Sequence, residues 1–241
     1  LDKLVARIYV AWARALTPAF RVVNSTEMPE LLRSWGVPEE QILVLPSLYI
    51  DLETFRPEPV SSGPRYDLCF VGRMVPNKGV PLLLQAMRVL KEQGTPVSAA
   101  LVGKGPERER WRAEAAAAGL EAEWIEWLPE PSDLADVYRA SRLVVCASSC
   151  EGGPRFTVEA MACGTPVVST PVGVMGDLLA DGRCGRLAGF DGWSLAEAIR
   201  DCLESEDSRG AMGAEAAERA LPFERARAIQ VYAEGVQALA R

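Results

Sequence analysis

The residues that could do chemistry fall in three stretches. The densest is SSCEGGPRFTVEAMACGTPVVST, where Glu151 and Glu159 are separated by seven residues that begin with Gly152 and Gly153. A helix is expected to start near Pro154–Phe156, with Thr157 in its first turn. Glycines let a backbone approach a ligand closely, and a helix start aims unpaired N–H groups at an anion. Glu159, about a turn into that helix, can accept two hydrogen bonds from vicinal hydroxyls such as those of ribose, because a carboxylate offers several acceptor sites in a fixed fork. Glu151, just outside the helix, would face a sugar or its reacting carbon. Taken singly, Glu159 would only complement the helix dipole, an effect of roughly 0.3–1 kcal/mol. The combination reads as a ligand site.

The second stretch, FVGRMVPNKG, puts Arg73 directly after a strand-like run and Lys78 five residues on, between Gly72 and Gly79. Two cations in one tight loop can grip a diphosphate, arginine as a planar fork and lysine as a point charge. The alternative is a solvated loop before a helix. The third, LVGKGPERE, ends a strand in the turn Gly103, Lys104, Gly105. It lacks both the full Gly-x-Gly-x-x-Gly fingerprint and a Walker sequence, so alone it reads as an ordinary tight turn.

Composition narrows what these residues can be. The chain has 241 residues and no histidine, which removes Ser-His-Asp triads, Cys-His pairs and His-ligated zinc from its own chemistry. Its net charge is -7 and it has no basic block, so no nucleic-acid partner is expected; an anion must be held by a few local cations and backbone N–H groups. The six cysteines sit mostly in apolar runs such as YDLCFVG, Cys146/Cys150/Cys163 have the wrong spacing for a metal site, and a reducing, cytoplasmic setting is expected. There is no apolar run of membrane-spanning length. In the opening LDKLVARIYVAWARALTPAF, Leu1, Leu4, Ile8, Trp12 and Ala15 recur at helical spacing. That helix is expected to pack on a domain, with peripheral contact at the membrane inner face as the alternative.

These loops need a frame to hold them. FRVVNST and QILVLP read as short strands flanking a helix over EMPELLRSW, with Ser25 or Thr26 as its cap. The aperiodic PEPVSSGPR marks a domain boundary. Beyond it, the strand-like runs YDLCFVG, VSAALVG, EWIEWL, RLVVCAS, PVVST and GRLA are separated by helical stretches near 79–93, 106–118, 132–140 and 156–163, and the chain ends in three helices. Repeated β-α units predict an α/β fold: a Rossmann-like parallel sheet with helices on both faces and ligands at the carboxyl ends of its strands.

Together, VGRMVPNKG, LVGKGPE, YRASRLVVCASSCEGGPRFTVEAMACGTPVVSTPVG and GRLAGFDGWSLAEAI resemble the donor-binding half of a retaining glycosyltransferase of family 4, with the GT-B architecture of two facing Rossmann-like domains. The resemblance runs from about Val22 to the C-terminus. It implies that residues 1–58 are a remnant of the N-terminal acceptor-side domain and the interdomain linker. Residues 59–241 would be the nucleotide-sugar donor-binding domain, whose last helix (about 222–240) crosses back to the N-terminal part.

Carried over position by position, the resemblance assigns Arg73 and Lys78 to the diphosphate leaving group, Glu159 to the ribose and Glu151 to the donor sugar. It assigns Gly152, Gly153, Pro154, Phe156 and Thr157 to the phosphate loop, while Gly103, Lys104, Gly105, Leu128 and Pro129 would lie near the base. The implied reaction moves a sugar from a nucleotide-diphosphate sugar to an acceptor hydroxyl (lipid, polysaccharide or small molecule) without a metal or other cofactor. A phosphate oxygen of the donor would take the acceptor's proton. Two departures stand out: the hinge reads PSLYID, one residue longer than usual, and GVMGD (Gly173–Asp177) replaces the family's Gly-Gly-x-Pro-Glu. A non-catalytic nucleotide-sugar-binding half that needs a separate acceptor-domain chain, in place of the same domain in cis, is the alternative. A Rossmann dehydrogenase lacks its fingerprint here, and a GT-B epimerase fits the two glutamates less well.

Overall fold

The structure, a computed structural model, describes residues 2–25, 27–45, 48–59 and 63–238. The N-terminal segment carries α1 (Asp2–Ala13), β1 (Phe20–Val22), α2 (Glu27–Ser34) and β2 (Ile42–Val44). The two strands pair in parallel, Phe20 opposite Ile42 and Val22 opposite Val44, over a small core of Val10, Val22, Leu32 and Val37. Two expectations fail here. The predicted apolar stripe of α1 does not pack: Leu4, Ile8 and Trp12 are about 60% exposed (59, 62 and 64%), and the helix seats itself through the next face round, Val10 and Ala13. Nor does Ser25 cap α2. Its N–H and hydroxyl both donate to Asp177 Oδ2, at 2.7 and 3.0 Å, while Asn24 Oδ1 accepts the Met28 N–H at 2.9 Å. Thr26, the other candidate cap, lies outside the described residues, as does part of the predicted boundary, residues 60–62.

The rest of the chain alternates as the pattern predicts, through β3 (Tyr66–Val71), α3 (Val80–Glu92), β4 (Ser98–Val102), α4 (Arg108–Ala117), β5 (Glu121–Ile125), α5 (Pro131–Arg139), β6 (Ser141–Cys146), α6 (Arg155–Ala162), β7 (Val167–Ser169), α7 (Met175–Leu178) and β8 (Gly185–Leu187). Three helices close it: α8 (Gly192–Leu203), α9 (Glu206–Ala220) and α10 (Arg225–Ala238). Three boundaries differ from expectation. β5 ends at Ile125, which leaves Trp127 and Leu128 in a loop. Pro222 belongs to a separate 3-10 turn before α10. The short α7 occupies the GVMGD segment, where no helix was expected.

β3 and β6 bury side chains on both faces because helices cover both. On one face α3 inserts Leu83, Leu84, Met87 and Leu90, all 0–1% exposed, against Leu68, Phe70 and α8. Each such side chain contributes roughly 1.5–3 kcal/mol. On the other, Cys69 and Val144 meet Val158 and Met161 of α6. The six strands are all parallel and lie in the order β5-β4-β3-β6-β7-β8. The chain thus steps outward from β3 through β4 to β5, then returns to the other side of β3 to build β6, β7 and β8. That reversal opens a crevice between the loops that leave β3 and β6.

Close backbone contacts hold those loops. Gly79 has φ +75°, and a Cβ there would lie 1.8 Å from the Ala147 carbonyl oxygen, so α3 can start against the end of β6 only on glycine. Gly103, at φ +144°, would meet the Gly72 carbonyl at 1.9 Å in the same way. Met74 N–H donates to the Lys104 carbonyl at 2.7 Å, and Ser149 N–H to the Asn77 carbonyl at 3.0 Å.

The N-terminal segment meets the sheet domain at several points. Asn24 Nδ2 donates to the Gly173 carbonyl at 3.3 Å, Ile50 N–H donates to the Phe223 carbonyl at 2.8 Å, and the Arg21 guanidinium lies 5.3 Å above the Tyr232 ring of α10. Arg139 of α5 ties the linker down by donating to the carbonyls of Thr54 and Arg56.

Candidate functional site

At the carboxyl edge of the sheet lies a cavity of about 620 Å³. Gly72 and Arg73 after β3, Gly103 and Lys104 after β4, Leu128 and Pro129 after β5, and Glu159 on α6 all line it. Residues from four separate β-α units therefore converge because the sheet is parallel and every strand exits on one side. Arg73 is exposed to this cavity, and among the described residues it forms no ion pair.

Between β6 and α6 the chain runs through Glu151, Gly152, Gly153 and Pro154. Pro154 is the N-cap of α6 and makes no side-chain capping bond. The first N–H groups of the helix therefore lack a side-chain acceptor, which leaves that end electropositive. A Cβ built on Gly152 would meet nothing within 4 Å, so the loop is open where it passes the helix start. The Thr157 side chain is not available to a ligand: it is fully buried and donates to the Pro154 carbonyl at 2.6 Å. Phe156 packs on Phe70, ring centroids 6.5 Å apart. Gly105 is a backbone contact, since a Cβ there would sit 2.4 Å from the Met74 carbonyl oxygen.

Glu159 is 8% exposed. Burial raises its carboxyl pKa, an effect opposed by the Arg155 charge and by the hydroxyl of Tyr138, which donates to Oε2 at 3.3 Å. Glu151 occupies a different place. Its Oε1 accepts from Lys78 Nζ at 2.5 Å and from Ser148 Oγ at 2.8 Å, and it lines a second cavity of about 310 Å³. That cavity lies between Gly152 and Gly173 on one side and Asn24 and Met28 on the other. Glu151 and Glu159, neighbours in sequence, thus face two different spaces on either side of the start of α6.

Sequence reasoning missed several residues of the larger cavity. Tyr49 from the hinge has the Arg155 guanidinium 5.1 Å and the Arg225 guanidinium 5.6 Å from its ring centre. Trp127 is 69% exposed at the lip, with Lys104 Nζ 5.4 Å from its ring, and Lys104 also pairs with Glu126 at 3.5 Å. The unusual PSLYID hinge was the signal for Tyr49; Arg155 stood in plain view inside the glutamate motif. Nothing local marks Arg225. Among the described residues no group of three His, Cys, Asp or Glu side chains is placed to hold a metal ion, and no helix is long and apolar enough to cross a membrane.

A parallel sheet with helices on both faces and a strand order that reverses at β3 and β6 defines a doubly wound α/β domain. More narrowly, the chain belongs to the glycosyl transferases group 1 family, whose model matches residues 51–219. It is 33% identical to the D-inositol 3-phosphate glycosyltransferase of Gordonia bronchialis, across 83% of this chain and 48% of the relative. It is 34% identical to D-inositol 3-phosphate glycosyltransferase 2 of Catenulispora acidiphila, across 85% and 53%. The chain spans about half the length of the curated relatives it matches. Among solved structures, its fold is similar to Anabaena HepE, crystallised in complex with UDP (TM-score 0.81, 22% identity, 99% of this chain and 68% of that one). It is also similar to the C-terminal domain of the group 1 protein LpcC of Francisella tularensis (TM-score 0.63, 22% identity, 71% and 96%).

Proposed function

We propose that this chain binds a nucleotide-diphosphate sugar and, with a facing acceptor-side domain, transfers the sugar to an acceptor hydroxyl with retention of configuration. The observation that carries this reading is the convergence of Arg73, the uncapped start of α6 and Glu159 on one cavity at the carboxyl edge of the sheet. In this reading the ribose hydroxyls donate to Glu159, the base lies toward Gly103 and the Leu128–Pro129 turn, and the diphosphate lies between Arg73, Lys78 and the helix start. The sugar then projects past Gly152 toward Glu151 and the second cavity.

Breaking the bond between sugar and phosphate builds negative charge on the diphosphate and positive charge on the anomeric carbon. Fixed cations and helix N–H groups on the leaving side stabilise that charge as it forms, which is where electrostatic catalysis acts most strongly. A phosphate oxygen of the donor, on the same face as the attacking hydroxyl, takes the proton, so the chain needs no base of its own and its lack of histidine is no obstacle. Residues 1–58 are then the end of the acceptor-side domain with the linker, and residues 59–241 the donor-binding domain.

Calorimetry with UDP, GDP and ADP, each with and without an attached sugar, tests the reading. Binding of one of the three at micromolar to millimolar concentration is the expected result. A folded protein that binds none of them would remove the basis for it.

A further inference from the structure

The two cations of the β3 loop are not equivalent. Arg73 opens onto the larger cavity, whereas Lys78 is already neutralised. Its ammonium lies 2.5 Å from Glu151 Oε1, and the two side chains are only 18% and 12% exposed. The arrangement is built from below: Ser148, 1% exposed, donates to the same carboxylate oxygen, and Thr170 Oγ1 fixes Ser148 by donating to its carbonyl at 2.6 Å. Glu151 is therefore held where it holds Lys78.

A diphosphate arriving between Arg73 and the start of α6 would bring negative charge toward Glu151 and compete with it for Lys78. A partly buried carboxylate cannot lose its cation without a replacement partner, because an unpaired charge in such a place is strongly disfavoured. A nucleotide-diphosphate sugar carries that replacement in its sugar hydroxyls; a bare nucleoside diphosphate does not.

We propose that Glu151 is the resident counter-ion of Lys78, and that it makes this site favour the sugar-bearing nucleotide over the nucleoside diphosphate left after transfer. The inference rests on the donor-site reading above and adds a competition to it. While sugar is attached, Glu151 turns to its hydroxyls and Lys78 passes to the diphosphate. Once the sugar has gone, Glu151 reclaims Lys78 and the grip on the product loosens.

The test titrates UDP, GDP and ADP, and then UDP-glucose, GDP-glucose and ADP-glucose, into the wild-type protein and the near-isosteric Glu151→Gln variant. A freed lysine making a charge-assisted bond should tighten binding of the bare diphosphate about tenfold, while the sugar conjugate gains nothing or weakens. Glu151→Asp, which draws the carboxylate back by one methylene, should move both affinities the same way by less. In a Lys78→Met background the gain from Glu151→Gln should vanish. A merely structural role for Glu151 would instead weaken both ligands together. If the wild type binds a diphosphate and Glu151→Gln binds it equally or more weakly, the counter-ion proposal is overturned and the donor site stands. If neither protein binds any of the six ligands, both readings fall.

Discussion

The Tyr138 hydroxyl, fully buried under the sheet edge, donates to Glu159 Oε2 at 3.3 Å. This places a neutral hydrogen-bond donor on the closed side of the carboxylate proposed to meet the ribose. Tyr138 is itself fixed by Thr165 Oγ1, which donates to its carbonyl at 2.9 Å, and by the Phe55 ring 6.2 Å away. Removing only the hydroxyl, as Tyr138→Phe, strands part of a buried carboxylate and should cost about 1–3 kcal/mol of stability. It should also raise the pH at which nucleotide binding develops, because the charged form of Glu159 loses a donor. Denaturant unfolding and a pH series of titrations read the two effects separately.

Glu159 itself sets function against stability. Burial raises its carboxyl pKa in the folded state, so between the ordinary and the raised value the folded protein binds more proton than the unfolded chain. The stability from that proton is complete below the ordinary carboxylate range and is lost as pH climbs through the raised value. Glu159→Gln should therefore melt at a higher temperature than wild type at pH 7.5, with the gap closing toward pH 4. The same variant should bind nucleotide about tenfold more weakly, since an amide is a poorer acceptor for paired hydroxyls.

Arg73→Ala removes an exposed cation that pairs with nothing among the described residues. It should leave the melting temperature within experimental scatter and lower diphosphate affinity by about 1.5–3 kcal/mol, or roughly 10- to 150-fold. Combined with Lys78→Ala, it should abolish sugar transfer in the complete enzyme. Near-normal turnover would remove both residues from the mechanism.

Much of this was legible beforehand, for a physical reason. A strand covered on both faces must be a short apolar run, so YDLCFV and SRLVVC announce themselves, whereas Gly79 and Gly103 read only as turn residues and their close contacts with Ala147 and Gly72 show only in the fold. β5 was misplaced because Trp124, Trp127 and Leu128 look like one apolar strand; only the pairing of Val102 with Ile125 shows where it ends. The glutamates were found from their spacing, but not that Glu151 would be paired across 73 residues of chain. Tyr49 and Arg225 escaped notice because they reach the cavity from the hinge and the last helix, and no local pattern links those segments.

Trp127 offers a direct readout. Its ring is 69% exposed at the cavity lip beside Lys104. A base seated near Leu128 should change its surroundings, so nucleotide titration should alter the protein's tryptophan fluorescence, and Trp127→Phe should remove most of that signal. Loss of the ring by Trp127→Ala should weaken binding by about 1 kcal/mol if base and indole touch.

Gly79→Ala should be far costlier than a helix-start glycine normally is. The added methyl meets a backbone carbonyl at 1.8 Å, not a side chain that can swing away, and φ is +75°. A loss above about 3 kcal/mol is expected, measured by denaturant unfolding.

The small β1–β2 sheet has a consequence of another kind. Among the described residues each of its strands pairs only with the other, and the adjoining helix turns Leu4, Ile8 and Trp12 outward. A two-stranded sheet beside an exposed apolar helix face is a template for association between copies. Handled by itself at high concentration, this chain is expected to self-associate through that small sheet and helix.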